Sequence, residues 1–244
     1  MKSLKERFDK PLPRWVKEIE AEAYQKISAS EFAKDCFGGN PDAIAKQMLG
    51  LWPFVDEFPH MLDRGCWSLI FRIELMLQHG PFAVLRLLKK GRKILREIKL
   101  DEEDHRKLWL MTSQTLDLKY PQDFDAEALP AVKKWMEKVD SADNPFTMFV
   151  RFTAIEIIAE CISKNLLGSP QFKTALGTQG CRWFKAHVHP DMHAGMTHEE
   201  LALHLGFSFH KSEPDKKECN DIIQEVVDLF LAAADASRSI ALPR

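Results

Sequence analysis

The chain has no apolar run approaching the roughly 18 residues that cross a bilayer, and its start, Met1-Lys2-Ser3-Leu4-Lys5-Glu6-Arg7, leads into charged sequence rather than an apolar signal segment. A soluble, cytoplasmic protein with no membrane partner is expected. Neither sign of charge dominates, because 34 basic and 36 acidic residues leave a formal net charge of −2. Without a global basic field, nucleic acid is not an expected partner. The local run Lys89-Lys90-Gly91-Arg92-Lys93, with Arg96 and Lys99, reads as a solvated helix face. Five cysteines (Cys36, Cys66, Cys161, Cys181, Cys219) are widely spaced and odd in number, with no CxxC pair. That spacing argues against a disulfide framework and a thiolate zinc site, and it fits a reducing compartment. Alternating Val/Ile/Thr runs bounded by turns are scarce, and no internal repeat stands out.

What remains is apolar residues at three- and four-residue spacing along most of the 244 positions, the pattern of an all-α chain. Residues 1–244 read as one helical domain, with 1–40 forming an N-terminal helix and extension. The first helix is expected over about 13–33. Gly38-Gly39 stops it, and Asn40-Pro41 offers an N-cap and a first-turn proline for the next. Further helices are expected near 41–50, 65–79, 81–98, 101–118, 126–139, 145–167, 170–187, 197–206 and 214–238. The least regular stretch is 187–197, where Pro190 and Gly195 discourage a continuous helix.

Six of the nine histidines fall between His187 and His210. Within that stretch His187 and Asp191 are four residues apart, His189 and His193 form a second such pair, and His198 follows. Neutral imidazole and ionised carboxylate are donors to divalent cations. Upstream, Glu102-x-x-His105 places a carboxylate and an imidazole one turn apart on a helix face. Glu156 sits inside Phe149-Val150-Arg151-Phe152-Thr153-Ala154-Ile155-Glu156-Ile157-Ile158-Ala159. A charge left unpaired there would cost several kcal/mol, so it needs a metal or a cation such as Arg72 or Arg151. Glu160, one turn later, is a further ligand, an outer acceptor or an exposed residue. Glu74 lies in a similarly apolar setting.

In that order on an all-α chain, these motifs resemble the haem-oxygenase-like di-iron oxidases and oxygenases. That superfamily shares its bundle of about seven or more helices with thiaminase-related and pyrroloquinoline-quinone-synthase proteins. Trp52-Pro53-Phe54-Val55-Asp56-Glu57-Phe58-Pro59 is similar to the family's opening segment. Glu102-x-x-His105 with Leu108-Trp109 and Leu116 looks like its first ligand helix, Glu156 like its middle acid, and Trp183-Phe184-x-x-His187-x-x-x-Asp191 like its last ligand helix. Where the family continues with a histidine three residues after the aspartate, this chain has Ala194. His193 is one position early, and His198 fits if about four residues are inserted.

The resemblance implies two Fe(II) per chain, held by Glu102, His105, Glu156, His187, Asp191 and one of His193 or His198. It also implies O₂-dependent oxidation of a small organic substrate in a biosynthetic role, with an amino acid as the preferred substrate. An aromatic, tryptophan-like one is included, with rearrangement, C–C cleavage or nitrile formation as outcomes. Arg72, Glu74, Phe149, Phe152 and Glu160 are the candidate substrate-binding residues, with Arg72 or Arg151 holding a carboxylate. A homodimer is compatible with the sequence. Two other classes stay open. One is a metal-free thiaminase-like hydrolase or cofactorless oxidase of the same fold, the hydrolase using an activated Cys66 or Cys161. The other is a non-enzymatic helical protein that binds metal or ligand.

Overall fold

The computed structural model describes residues 10–68, 76–77, 79–142, 144–188, 196–210 and 212–243, excepting the side chains of 66–68. Among the described residues the regular elements are helices, and none is long and apolar enough to cross a membrane.

Local signals set most of the boundaries. The helix expected over 13–33 is two helices, α1 (Trp15–Ser28) and α2 (Glu31–Phe37). Ser30 divides them: its backbone is extended and its Oγ accepts the Ala33 N–H at 3.2 Å, an N-cap inside what the apolar spacing presents as one run. Helix α3 (Pro41–Gly50) begins as expected, with Asn40 Oδ1 accepting from Asp42 N–H at 3.0 Å and Pro41 in the first turn. Helix α4 (Trp52–Ser68) follows after a one-residue turn. Most of the helix expected at 65–79 lies outside the described residues.

The two helices expected at 81–98 and 101–118 are one, α5 (Pro81–Gln114), 34 residues and about 51 Å long. The charged stretch at 99–104 interrupts the apolar pattern but not the backbone, because no Gly or Pro occurs between 92 and 114. Helices α6 (Pro130–Asp140) and α7 (Pro145–Gly168) come next. The segment expected as one helix over 170–187 breaks into α8 (Pro170–Gly180) and α9 (Arg182–Val188), with Gly177 at φ 65° within the first. Helices α10 (His198–Phe209) and α11 (Lys216–Ser237) complete the chain.

Helix α7 is the centre of the bundle. It is apolar around its circumference, the signature of a helix enclosed on all sides, and it packs against α1, α2, α6, α8, α9, α10 and α11. Helix α5 lies along α4 and also meets α8, α9 and α10. A carboxylate on α7 can therefore face side chains from α5, α9 and α10 inside the protein.

Candidate metal centre

Glu102 and His105 lie on the inner face of α5, one turn apart, and His105 Nδ1 is 3.0 Å from Glu102 Oε1. Two further residues on that face fix the rotation of the helix. Trp109 Nε1–H donates to the Met48 carbonyl at 3.0 Å, and Thr112 Oγ1–H donates to the Gly180 carbonyl at 2.9 Å. The first bond ties α5 to α3 and the second to the α8–α9 junction.

Helix α9 delivers His187. Its Nδ1–H donates to the Trp183 carbonyl at 2.9 Å, which leaves the Nε2 lone pair directed away from its own helix. The ring packs on Trp183 at 4.0 Å and on His105 at 4.3 Å between centroids, and Trp183 meets Trp109 edge-on. Burial, aided by nearby His105, pulls the His187 imidazole down to about 4, so it is neutral with its lone pair available.

Helix α10 opens with a capping box: Thr197 Oγ accepts the Glu200 N–H, and the Glu200 carboxylate accepts the Thr197 N–H. The box fixes the helix start and so the placement of its first residue, His198. That imidazole is 4% exposed and lies between three acids. Its Nε2 is 3.0 Å from Asp101 Oδ2 and its Nδ1 is 3.7 Å from Glu156 Oε1. Burial opposes its protonation, but Glu156, Glu102 and Asp101 outweigh burial and raise His198 to about 9. Without another cation, a proton resides where the carboxylates require positive charge. Glu102 shows the complementary shift: burial disfavours its charge, yet His105, His187 and His198 hold it below the ordinary carboxylate range.

Donor atoms from Glu102, His105 and His187 lie within 4.8 Å of one another, and so do donor atoms from Glu102, Glu156 and His198. The two groups share Glu102, whose two oxygens allow it to serve both. Among the sequence-derived candidates, the structure therefore brings together Glu102, His105, Glu156, His187 and His198. Asp191 and His193 lie outside the described residues. Asp101, which orients His198, is a participant that sequence reading missed. Next to Glu102 it reads as one more acid of a charged run, and only the position of α10 gives it a partner.

Two cavities meet at this cluster. One, of about 80 Å³, is apolar: Glu102, Glu156 and His187 occupy one part of its wall, and aromatic residues such as Phe54, Trp135 and Phe230 supply much of the rest. The other, of about 30 Å³, is lined by polar groups including His105, Glu156, Glu160, His198 and Glu199. Glu156 and His187 face both.

The remaining candidates are placed elsewhere. Glu160 accepts a hydrogen bond from Tyr24 and pairs with Lys164 at 2.5 Å, at the rim of the smaller cavity. Arg151 donates to the Lys138 carbonyl at 2.7 Å, towards α6. Phe149 and Phe152 pack into the core, against Phe209 and Phe58 respectively. Arg72 and Glu74 lie outside the described residues. Of the thiols, Cys161 contacts Ser28 and Asn165 outside the apolar cavity, and burial raises it to about 11. Cys36 does line that cavity, but burial and Asp35 raise it to about 12.

No family model and no curated protein matches this chain. Among solved structures, a TenA homolog from Pseudomonas syringae pv. tomato str. DC3000 superposes with a TM-score of 0.73, covering 93% of this chain and 94% of that one at 15% sequence identity. The likeness is one of fold: the chain has the all-α, thiaminase-like and haem-oxygenase-like helical architecture of TenA-type proteins.

Proposed function

We propose that this protein is a non-haem oxidase or oxygenase that uses two Fe(II) ions and O₂ to oxidise a small organic substrate. The observation that carries the reading is the pair of three-residue donor groups meeting at one carboxylate, Glu102. The donor set fits iron: carboxylate oxygen and imidazole nitrogen, with no thiolate among these five residues. His105 and His187 with Glu102 would hold one ion, and Glu156 and His198 with Glu102 the other. When bound, such ions supply the reduction of O₂, chemistry that no side chain here provides.

The chain's own residues set the conditions for that chemistry. His187 stays neutral and is oriented by the Trp183 carbonyl. His198 is oriented by Asp101, so its Nδ1 faces Glu156. The aromatic wall excludes water from the side where the larger cavity reaches the cluster. The smaller cavity places Glu160 and Glu199 beside the cluster as further acidic groups.

The substrate follows less directly. An amino acid with its carboxylate on an arginine would need Arg72, since Arg151 is turned to α6. No lysine or arginine lines the apolar cavity among the described residues, which favours a substrate with an apolar body.

The fold likeness gives a second reading, a metal-free hydrolase with a thiol nucleophile. It lacks a poised thiolate among the described cysteine side chains, because Cys36 and Cys161 are both raised by burial. One experiment separates the readings. Fe(II)-loaded protein, exposed to O₂ with a panel of amino acids and apolar aromatic compounds, is expected to consume O₂ only when one of them is present. Metal-free protein is expected to be inactive. Equal turnover by metal-free and loaded protein would move the chain to the hydrolase or cofactorless class.

A further inference from the structure

Ahead of Glu102, helix α5 carries an outward stripe. Phe82, Leu85, Arg86, Lys89, Lys93, Arg96 and Leu100 are all exposed, and helical periodicity sets them within about 100° of arc over a length of about 27 Å. The opposite face, with Leu87, Leu95 and Ile98, is buried.

A solvated helix face alternates the signs of its charges, as α5 does further on with Lys99 near Glu103 and Lys107 beside Asp104. Residues 81–100 do not: seven are basic and one is acidic, in a chain whose net charge is −2. That acid, Glu97, lies 3.5 Å from Lys93. Among the described residues, Arg86, Lys89 and Arg96 have no carboxylate partner. Apolar exposure is concentrated on the same stripe. Five large apolar side chains are exposed among the described residues, and Phe82 (76%), Leu85 (44%) and Leu100 (62%) are three of them.

The order of residues along the stripe separates the partners it could serve. A protein interface places aromatic and aliphatic anchors at its centre and charge at its rim, whereas here the cations lie between apolar ends. Nucleic acid would use the cations and leave Leu85 and Leu100 without a role. An anionic lipid surface uses both, because headgroups accept cations at any spacing and the acyl boundary takes up apolar side chains.

We propose that the outer face of α5 from Phe82 to Leu100 is a docking surface for an anionic lipid bilayer. Arg86, Lys89, Lys93 and Arg96 lie against the headgroups, and Phe82, Leu85 and Leu100 enter the acyl boundary. The helix lies in the plane of the interface and does not cross it. The expectation of no membrane partner followed from the lack of a spanning run, which does not bear on a surface helix. The α5 members of the metal cluster begin at Glu102, past the end of the stripe, so the surface stands whether or not the cluster holds iron.

The test is co-sedimentation of the full chain with vesicles of two parts phosphatidylcholine to one part phosphatidylglycerol, and with vesicles of phosphatidylcholine alone. Binding is expected to the mixed vesicles, at least tenfold stronger than to the neutral ones, and to weaken as salt is added. Replacing Arg86, Lys89 and Arg96 together by Gln should weaken it about 100-fold, about fivefold for each cation. Phe82→Ala should weaken it about tenfold through lost insertion, with Tm unchanged because the side chain is exposed. Should the triple variant not fold, Lys89→Gln alone is expected to show the fivefold loss. Equal binding to both vesicles, no binding to either, or undiminished binding by the glutamine variants or by Phe82→Ala would overturn the assignment. Polyglutamate is the probe for an acidic protein partner. Capture of the chain by polyglutamate without binding to the mixed vesicles would assign the stripe to such a partner instead.

Discussion

Glu102→Ala is expected to weaken Fe(II) binding at both positions together, whereas His105→Ala and His198→Ala each weaken one. The difference follows from Glu102 belonging to both donor groups while each histidine belongs to one. Losing an outer hydrogen-bond partner of a ligand costs about 10–100-fold in affinity, so losing a shared ligand should exceed about 100-fold at each position. Asp101→Ala belongs to the smaller class, since Asp101 touches His198 and is in neither group. Circular dichroism at matched concentration would separate lost metal from lost fold. If Glu102→Ala retained one ion at undiminished affinity, Glu102 would not be shared.

Phe149→Ala carries the largest expected effect on stability. The ring is fully buried on α7, stacked on Phe209 of α10 at 5.9 Å with planes 9° apart. Gly206 of α10 approaches so closely that a Cβ there would sit 3.1 Å from the Phe149 Cβ, so neighbouring backbone has little room to close over a void. Truncating a buried phenylalanine costs about 3–5 kcal/mol, equivalent to a fall in Tm of roughly 6–20 °C for a chain of this size. The same placement separates a core role from a substrate role. Phe149→Leu should lower Tm by less and leave substrate affinity unchanged, and a raised KM at near-normal stability would instead put Phe149 in the substrate site.

Some of this protein was legible before its structure because the signal was local. Glu102-x-x-His105 needs only helical periodicity, and Glu156 is conspicuous because a carboxylate in an unbroken apolar helix must find a partner. The cap at Asn40 announces α3 for the same reason. The expectations that missed were those in which polarity was taken for a break. The charged stretch before His105 looked like a helix boundary, yet the backbone continues through it and α5 is one element. Conversely, Ser30 and Gly177 end or bend helices inside runs whose apolar spacing is continuous.

Long-range partners were beyond reach by that route. Asp101 and His198 are 97 residues apart and meet only because α10 is capped at Thr197 and packed against α7. The position of His198 is likewise a matter of where the chain returns: it lies beside Glu156, and His193 falls outside the described residues.

The central claim is a two-metal centre joined through one carboxylate. Anaerobic Fe(II) titration of the full chain, with bound and free metal separated by equilibrium dialysis, tests it most directly. The account predicts saturation at two Fe(II) per chain, with both positions lost in Glu102→Ala. Saturation at one or none, or two ions bound as tightly after that substitution, would contradict it.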